Sequence, residues 1–204
     1  MNNDALFKLS YGLFIVTAQD GGEDNGCVIN TVMQITAEPM RVCVCVNKTN
    51  YTHEMIEKSG EFNVSVISEN ADFKLFRRFG FSSGRDTDKF KNYGNCKRSE
   101  NGIYYITEGT NAYISVKVCQ KIDVGTHTMF IGDVRQAEIL SDTPSATYEY
   151  YFKNIKPKPQ PKPETNGKKV WRCKICGYRY IGDELPDDYI CPICKHTSSD
   201  FEIM

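Results

Sequence analysis

Two pairs of cysteines near the C-terminus constrain the fold of this chain more than any other feature. Cys173 and Cys176 form one C-x-x-C pair, and Cys191 and Cys194 form a second after fourteen intervening residues. Two such pairs can close round one tetrahedral metal ion. Soft sulfur ligands favour zinc or a single iron and exclude magnesium and calcium. The sequence therefore predicts a small metal-binding module, and the identity of the metal decides whether it is structural or carries electrons.

The residues around the cysteines suit such a module. Gly177 permits the positive φ of a tight turn that directs backbone N–H groups toward sulfur, and Pro192 stiffens the second turn. A short module buries little surface and needs a small aromatic core beside its metal, for which the candidates are Trp171, Tyr178, Tyr180 and Phe201.

With W-x-C-x-x-C-G-Y-x-Y before and C-P-x-C followed by Asp200-Phe201 after, the segment of about 170–204 resembles a rubredoxin. Its short loop between the pairs is closer to the rubredoxin-like end of rubrerythrins, and Lys195 stands where glycine usually follows the last cysteine. The resemblance implies one iron held by the four cysteines. A structural zinc ribbon is the alternative.

The composition of the 204 residues is that of an ordinary globular protein, with 40% hydrophobic residues and a formal net charge of −1. No basic surplus indicates a nucleic-acid partner. No apolar run approaches eighteen residues and the N-terminus lacks signal-peptide features, so we expect a cytoplasmic protein with no membrane partner. Five cysteines outside the metal motif are an odd remainder, which favours a reducing compartment.

A lysine- and proline-rich segment divides the chain. Proline occupies every second position from 157 to 163, which excludes a helix or a central strand. We expect an extended, semi-rigid linker that could reach about 45 Å over fifteen residues. The predicted domains are therefore 1–153, a linker at 154–169, and a metal module at 170–204.

The first 153 residues read as mainly β. Seven short runs of β-branched or aromatic residues predict strands, at 12–18, 26–35, 41–46, 62–67, 103–106, 112–119 and 129–134. Helices are predicted at 51–59, 71–79 and 145–151, the first two ending at a glycine with basic residues in the last turns. Seven strands suggest a barrel or a sandwich.

Two segments offer polar groups that a ligand could use. Asn30, Thr31 and Gln34 lie in an otherwise apolar predicted strand, where they could satisfy one another or bind a flat heteroaromatic ligand. Residues 47–53 follow a strand and begin a helix, which suits a phosphate but is explained equally by an ordinary N-cap at Asn50 or Thr49. The polar loop at 82–90 adds two cations and could also be a solvated turn.

Six sequence blocks in order resemble the flavin reductase-like, FMN-binding split-barrel family over about residues 5–152: GLFIVTA, NGCVINTVMQIT, EPMRVCVCVNKTNYTH, FNVSVIS, FGFSSGRDTDKF and GTHTMFIGDV. With the rubredoxin-like tail, the chain resembles the high-molecular-weight rubredoxins of anaerobic bacteria. The implied fold is mainly β, a Greek-key split barrel with short helices plus a small rubredoxin-like domain.

The resemblance also implies residue roles. Asn30, Thr31 and Gln34 would lie along the isoalloxazine ring. The ribityl chain or phosphate would be held by Asn47, Lys48, Tyr51 and Thr52. A loop near the flavin would contribute Ser83, Arg85 and Lys89. His127 would face the flavin as the candidate catalytic residue, against the alternative of a structural histidine, whereas His53 and His196 are expected to be structural or exposed.

The function implied is electron transfer. NAD(P)H would reduce FMN, FMN would reduce the iron, and the iron would reduce an acceptor protein such as a flavodiiron protein, with the flavin near a homodimer interface. Two alternatives stay open. One is a reductase that acts directly on free flavin, oxygen, nitric oxide or ferric compounds, and the other is a non-catalytic flavin-binding module with a structural zinc ribbon.

Overall fold

The computed structural model of this chain describes residues 2–157 and 167–204. Its contacts divide the chain into two units, Met1–Lys156 and Pro157–Met204. The predicted linker at 154–169 overlaps a helical turn that ends at Ile155, and residues 158–166 lie outside the described part. In the described part, no helix is both long and apolar enough to span a membrane.

The first unit is built mainly from strands. Nine are described: β1 (Phe14–Asp20), β2 (Glu23–Ile29), β3 (Val32–Ala37), β4 (Met40–Asn47), β5 (Glu61–Ile67), β6 (Cys96–Arg98), β7 (Tyr104–Ile106), β8 (Thr110–Asp123) and β9 (His127–Ile139). Seven of them form one antiparallel sheet in the order β2-β1-β5-β8-β9-β4-β3, and β6 and β7 form a separate hairpin. The two edge strands, β2 and β3, are consecutive in sequence. The sheet must therefore curl until its edges approach each other, which makes a split barrel.

Alternation along the strands fills the barrel. In β4, Val42, Val44 and Val46 belong to the barrel core, whereas the alternating Cys43 and Cys45 do not, with Cys43 buried and Cys45 half-buried. This is the period-two pattern expected of a strand with one face inside. The β1–β2 hairpin turns through Gly21 and Gly22, both at positive φ, which is the backbone that a two-residue hairpin loop needs.

Three helices accompany the sheet. Helix α1 (Tyr51–Ser59) spans the predicted residues and is capped by Asn50, whose side chain accepts a hydrogen bond from the Thr52 N–H. Helix α2 (Phe73–Gly80) begins two residues later than predicted because Asp72 is its N-cap. The third is a single turn, α3 (Tyr148–Tyr150), that widens into a π-helical turn at Tyr151–Ile155.

Two strand assignments in the first unit differ from the prediction beyond their end residues. The strand predicted at 26–35 is interrupted at Asn30 and Thr31, because its halves belong to opposite edges of the sheet. The short strand β6 was not predicted, since Cys96–Arg98 has no apolar alternation.

The second unit is a three-stranded sheet, ordered β11-β10-β12, with β10 at Lys169–Cys173, β11 at Arg179–Gly182 and β12 at Phe201–Ile203. A 3₁₀ turn, Ser198–Asp200, precedes β12. The aromatic core includes Tyr189, which sequence reasoning missed. Its ring lies 4.6 Å from that of Tyr180 and 5.5 Å from that of Phe201.

The β6–β7 region is tied to the barrel by one buried amide. The Asn63 side-chain nitrogen donates to Ser99 Oγ at 2.7 Å and to the Ile103 carbonyl at 2.8 Å. Its amide oxygen accepts from Asn101 at 3.1 Å. Asn63 is fully buried, so water has no access to the amide, and these protein groups satisfy its hydrogen bonds.

We predict that Asn63→Ala lowers the free energy of unfolding by about 2–4 kcal/mol, because it removes three hydrogen bonds made by one buried amide and leaves a cavity in its place. Urea unfolding followed by far-ultraviolet circular dichroism measures this loss. The exposed Asn95 provides the control, and Asn95→Ala should change the free energy by less than about 0.5 kcal/mol. Equal small losses in both variants would contradict the assigned role.

Candidate functional site

The four cysteines of the paired motifs meet in the second unit. All four are buried, and their Sγ atoms lie within 4.8 Å of one another. Sγ of Cys173 lies 3.6 Å from that of Cys194, and Sγ of Cys176 lies 3.5 Å from that of Cys191. Metal–sulfur bonds of about 2.3 Å at tetrahedral angles place sulfurs about 3.8 Å apart. The donor set and its spacing therefore fit one tetrahedral zinc or iron ion.

Two turns of the same backbone form hold these ligands. We call residues 173–178 the first knuckle and residues 191–196 the second knuckle. In the first, Gly177 N–H donates to the Cys173 carbonyl at 2.9 Å, and in the second Lys195 N–H donates to the Cys191 carbonyl at 2.9 Å. Each knuckle is closed by a second bond of 2.8 Å, from the Cys173 or Cys191 N–H to the residue five positions later. The two halves of the site are thus equivalent by an approximate twofold relation.

Burial and backbone dipoles act on the thiols in opposite directions. Burial raises the pKa of Cys176 to about 11, opposed by the N–H of Tyr178. Burial also raises the pKa of Cys194, opposed by the N–H of His196. At Cys191, burial is opposed by hydrogen bonds from the N–H groups of Cys194 and Ile193 and from the Cys176 and Cys194 side chains, which together lower the pKa. Such N–H groups orient sulfur ligands and stabilise their charge.

The fifth residue of each knuckle has a left-handed conformation. Gly177 has φ 78°, which costs glycine nothing, whereas Lys195 has φ 66° at the equivalent position. The departure seen in the sequence at Lys195 therefore places a β-carbon where the backbone favours glycine.

In the first unit, several predicted site residues meet at one end of the barrel. Asn30 and Thr31 form the connection between the two sheet edges, and Thr31 Oγ1 donates to the Cys45 carbonyl at 2.7 Å. Asn47, two residues further along β4, is paired with His127 across the β4–β9 ladder. The pairing of β3 with β4 and of β4 with β9 thus brings together residues from three separate sequence segments.

Gln34 lies apart from this end. It is exposed on the edge strand β3, opposite Val42, and its side-chain amide donates to the Thr36 carbonyl at 3.4 Å. Three residues of strand separate Gln34 from Thr31, a distance of about 10 Å. A common contact of Asn30, Thr31 and Gln34 with one ring stays a prediction.

Lys48 is already paired. Its Nζ lies 2.7 Å and 2.8 Å from the two carboxylate oxygens of Asp123, on the β8–β9 hairpin. Hydrogen bonding to Lys48 holds the pKa of Asp123 below its ordinary value. A phosphate bound here would share Lys48 with the Asp123 carboxylate or displace it. Sequence reasoning missed this competitor because Asp123 lies 75 residues from Lys48.

The start of α1 contacts the predicted 82–90 loop. The Arg85 guanidinium pairs with Glu54 and lies 5.1 Å from the centre of the Tyr51 ring. The Tyr51 hydroxyl donates to Glu23 at 2.6 Å. Ser83 Oγ accepts from the Arg85 N–H at 3.2 Å, which shapes the loop. Two predicted segments that are about thirty residues apart therefore form one surface.

Thr52 and Lys89 lie inside the protein. Thr52 is fully buried and its hydroxyl accepts from the Asn25 amide at 3.0 Å. Lys89 is 4% exposed, and its Nζ donates to the carbonyls of Gly26 at 2.8 Å and Phe79 at 3.2 Å. Burial lowers the pKa of Lys89. These contacts give both side chains a supporting role, and their contact with a cofactor stays a prediction.

A cavity of about 500 Å³ opens beside this surface. Its lining includes Tyr51 and two cations, Arg85 and Lys91, outnumbered by four carboxylates, Glu23, Asp24, Asp86 and Asp88. Carboxylates repel a phosphate, so this cavity is a poorer anion site than the barrel end that carries Lys48.

His53 and His127 differ in their surroundings. His53 is buried against Phe130 and its Nε2 lies 2.8 Å from Thr128 Oγ1, so it is structural as expected. Burial lowers the pKa of His53. His127 is half-buried, and its Nδ1 lies 2.9 Å from Thr126 Oγ1.

Comparison with known families agrees with this geometry. Residues 6–158 match the family described as flavin reductase like domain, and residues 171–202 match the family described as rubrerythrin, rubredoxin-like domain. The first match covers well over half of the chain. The chain therefore belongs to the flavin reductase-like family and carries a rubredoxin-like domain after it.

Individual relatives match either the whole chain or about the extent of its first unit. A high molecular weight rubredoxin of Moorella thermoacetica is 38% identical over 99% of this chain and 99% of its own length. A ferric-chelate reductase (NAD(P)H) of Archaeoglobus fulgidus is 39% identical over 74% of this chain and 89% of its own. The solved NADH:FAD oxidoreductase SgcE6 of Streptomyces globisporus has a TM-score of 0.64 at 24% identity, covering 70% of this chain and 83% of its own.

These findings confirm the predicted fold class, a mainly β split barrel joined to a four-cysteine rubredoxin-like domain. They also confirm the class of enzyme, an oxidoreductase of the flavin reductase type fused to a rubredoxin-like domain.

We predict that Lys195→Gly stabilises the metal-loaded second unit by about 0.5–1 kcal/mol, because relief of the left-handed strain exceeds the entropy cost of glycine. Thermal unfolding followed by thiolate-to-metal absorbance measures the change. Gly177→Ala is the matched variant and should lower stability by a similar amount. A destabilising Lys195→Gly would show that the lysine side chain contributes more than its strained backbone costs.

Proposed function

We propose that the chain passes electrons from NAD(P)H through FMN to an iron ion held by four cysteines, and on to an acceptor protein such as a flavodiiron protein. The observation that carries the proposal is the four buried Sγ atoms, at tetrahedral spacing, in the same chain as a flavin reductase-like barrel. Similarity over the whole length to a high molecular weight rubredoxin supports it.

The end of the barrel offers the donors that a flavin nucleotide requires. Thr31 supplies a hydroxyl, Asn30 and Asn47 supply amides, and Lys48 supplies an ammonium group. We propose that Asn30 and Thr31 bind the ring and that Asn47 and Lys48 bind the ribityl phosphate. FMN bound there would accept a hydride from the nicotinamide and release electrons one at a time.

We propose that His127 borders the same site. Its backbone pairs with Asn47, and Nδ1 bonds to Thr126 Oγ1, whereas Nε2 has no protein partner among the described residues. We propose that this ring edge helps to position the nicotinamide, since hydride transfer needs close and aligned rings.

The second unit suits iron as an electron carrier. The four sulfurs are buried, so solvent has little access to the metal, and backbone N–H groups stabilise thiolate charge. Iron held there would carry one electron at a time. A structural zinc ion would also fit the four sulfurs, and metal analysis distinguishes the two.

We propose a homodimer in which a second copy covers the edge strand β3. This strand has one unpaired edge and exposes Met33 at 60% and Ile35 at 41%, with Met40 exposed beside them at 52%. An exposed apolar edge strand is prone to pair with another chain. Sedimentation of the full chain tests this point.

We predict that anaerobic mixing with NADH or NADPH reduces the flavin first and the iron second, as followed by their separate absorbances in stopped flow. In Cys176→Ser the iron signal should be lost while the flavin is reduced within about twofold of the normal rate, because the two sites belong to separate units. Elemental analysis should give about one iron and one FMN per chain, from the single four-cysteine site and the single barrel.

Two outcomes would contradict the electron path: zinc in place of iron in protein made with iron available, or an iron that stays oxidised after the flavin is reduced.

The similarity to a ferric-chelate reductase favours a second candidate, direct reduction of ferric compounds by the barrel. That activity would persist fully in Cys176→Ser.

We predict that Lys48→Ala weakens FMN binding about tenfold, or about 1.4 kcal/mol, because it removes a charge-assisted hydrogen bond to the phosphate. Asp123→Asn should instead strengthen FMN binding, since it frees Lys48 from its carboxylate. Titration with riboflavin is the control, and neither variant should alter riboflavin affinity. If the affinities for riboflavin and FMN changed by the same factor, Lys48 would not contact the phosphate.

A further inference from the structure

Charges are unevenly distributed in the second unit. Residues 167–204 contain six Lys and Arg and six Asp and Glu, so the unit as a whole is neutral. Four of the six acids fall within residues 183–188, in the loop between the cysteine pairs. The two knuckles contain no acid, and their lysines are Lys174 and Lys195.

These two lysines are available to a partner. Both are exposed, and neither takes part in an ion pair with any residue of the described ranges 2–157 and 167–204. In contrast, Arg172 is paired with Glu202 on the neighbouring strand. In the described part, the acidic residue Asp200 contacts the first knuckle through its backbone: its carbonyl accepts a hydrogen bond from the Lys174 N–H at 2.8 Å. Asp200 is half-buried.

The knuckles also carry the four buried sulfur ligands. Ile175 and Ile193 hold equivalent positions between the cysteines of each pair, and both are half-buried. The knuckles therefore present two apolar side chains with an exposed lysine on each turn. Protein interfaces commonly combine an apolar centre with a polar rim, and charge complementarity sets the rate and orientation of encounter.

We propose that this lysine-flanked face, Lys174, Ile175, Ile193 and Lys195, docks a carboxylate-rich surface of the acceptor protein. The inference rests on the proposed function for the direction of electron flow, but the choice of an acidic partner rests on the two unpaired lysines. Because the whole chain carries a formal charge of −1, the attraction comes from this face and not from the net charge.

The probe is horse cytochrome c in two forms, succinylated to make it acidic and native, which is basic. The full chain is reduced with dithionite and mixed with each form in stopped flow at low and high salt. We expect succinylated cytochrome c to be reduced about tenfold faster at low salt, with the advantage lost as salt screens the charges. Dithionite bypasses the flavin, so a failure of NAD(P)H to reduce the iron would refute the proposed function without affecting this test.

A matched pair of variants locates the effect. Lys174→Gln with Lys195→Gln should abolish the preference for the succinylated form. Lys168→Gln with Lys169→Gln removes the same charge from two other exposed lysines and should retain the preference. Equal losses in both pairs would overturn the proposal, as would equal rates with the two cytochromes in the unaltered protein.

A readout independent of electron transfer completes the test. Acetic anhydride labelling with mass spectrometry measures the protection of each lysine in the presence of succinylated cytochrome c. Protection of Lys174 and Lys195, without protection of Lys168 and Lys169, supports the docking face whichever metal is bound. Protection at all four sites or at none overturns it.

Discussion

Closure of the barrel across the Asn30–Thr31 connection is the constraint on which the first unit depends. The strands that this connection joins, β2 and β3, lie at opposite ends of the sheet order. A connection of two residues can join them only if the two edges of the sheet come together. The bond from Thr31 to the Cys45 carbonyl fixes that junction. The pairing of β3 with β4 and of β4 with β9 places Asn47 and His127 at this same end, and the candidate flavin site is therefore a direct result of the topology.

The second unit solves a different problem. Its thirty-eight described residues are too few to build a large apolar core, and domains of this size usually need metals or disulfides. The four cysteines are among its most buried residues, and the backbone bonds of the two knuckles hold them. Metal binding and folding are therefore linked, because the ligands of the metal are also the core of the fold.

Ion pairing distinguishes two cations assigned to the flavin from the lysines of the knuckles. Lys48 and Arg85, which the family resemblance assigns to the flavin, are held by Asp123 and Glu54, so an anion must compete for them. The lysines of the knuckles have no such partner among the residues described. An anion bound by Lys48 or Arg85 must displace or share a carboxylate. The lysines of the knuckles can instead pair directly with an external acidic partner.

Local sequence determined the metal ligands, the turns that hold them, the caps of α1 and the alternation of β4, because each depends on neighbours a few residues apart. It also indicated the barrel end through Asn30, Thr31 and Asn47. Only the tertiary structure showed that Thr52 and Lys89 are buried supports, that Gln34 stands apart, and that Lys48 is paired. Those outcomes depend on contacts such as Lys48 with Asp123 and Lys89 with Gly26, 75 and 63 residues apart. A spacing in sequence carries no information about such pairs until the sheet order brings their strands together.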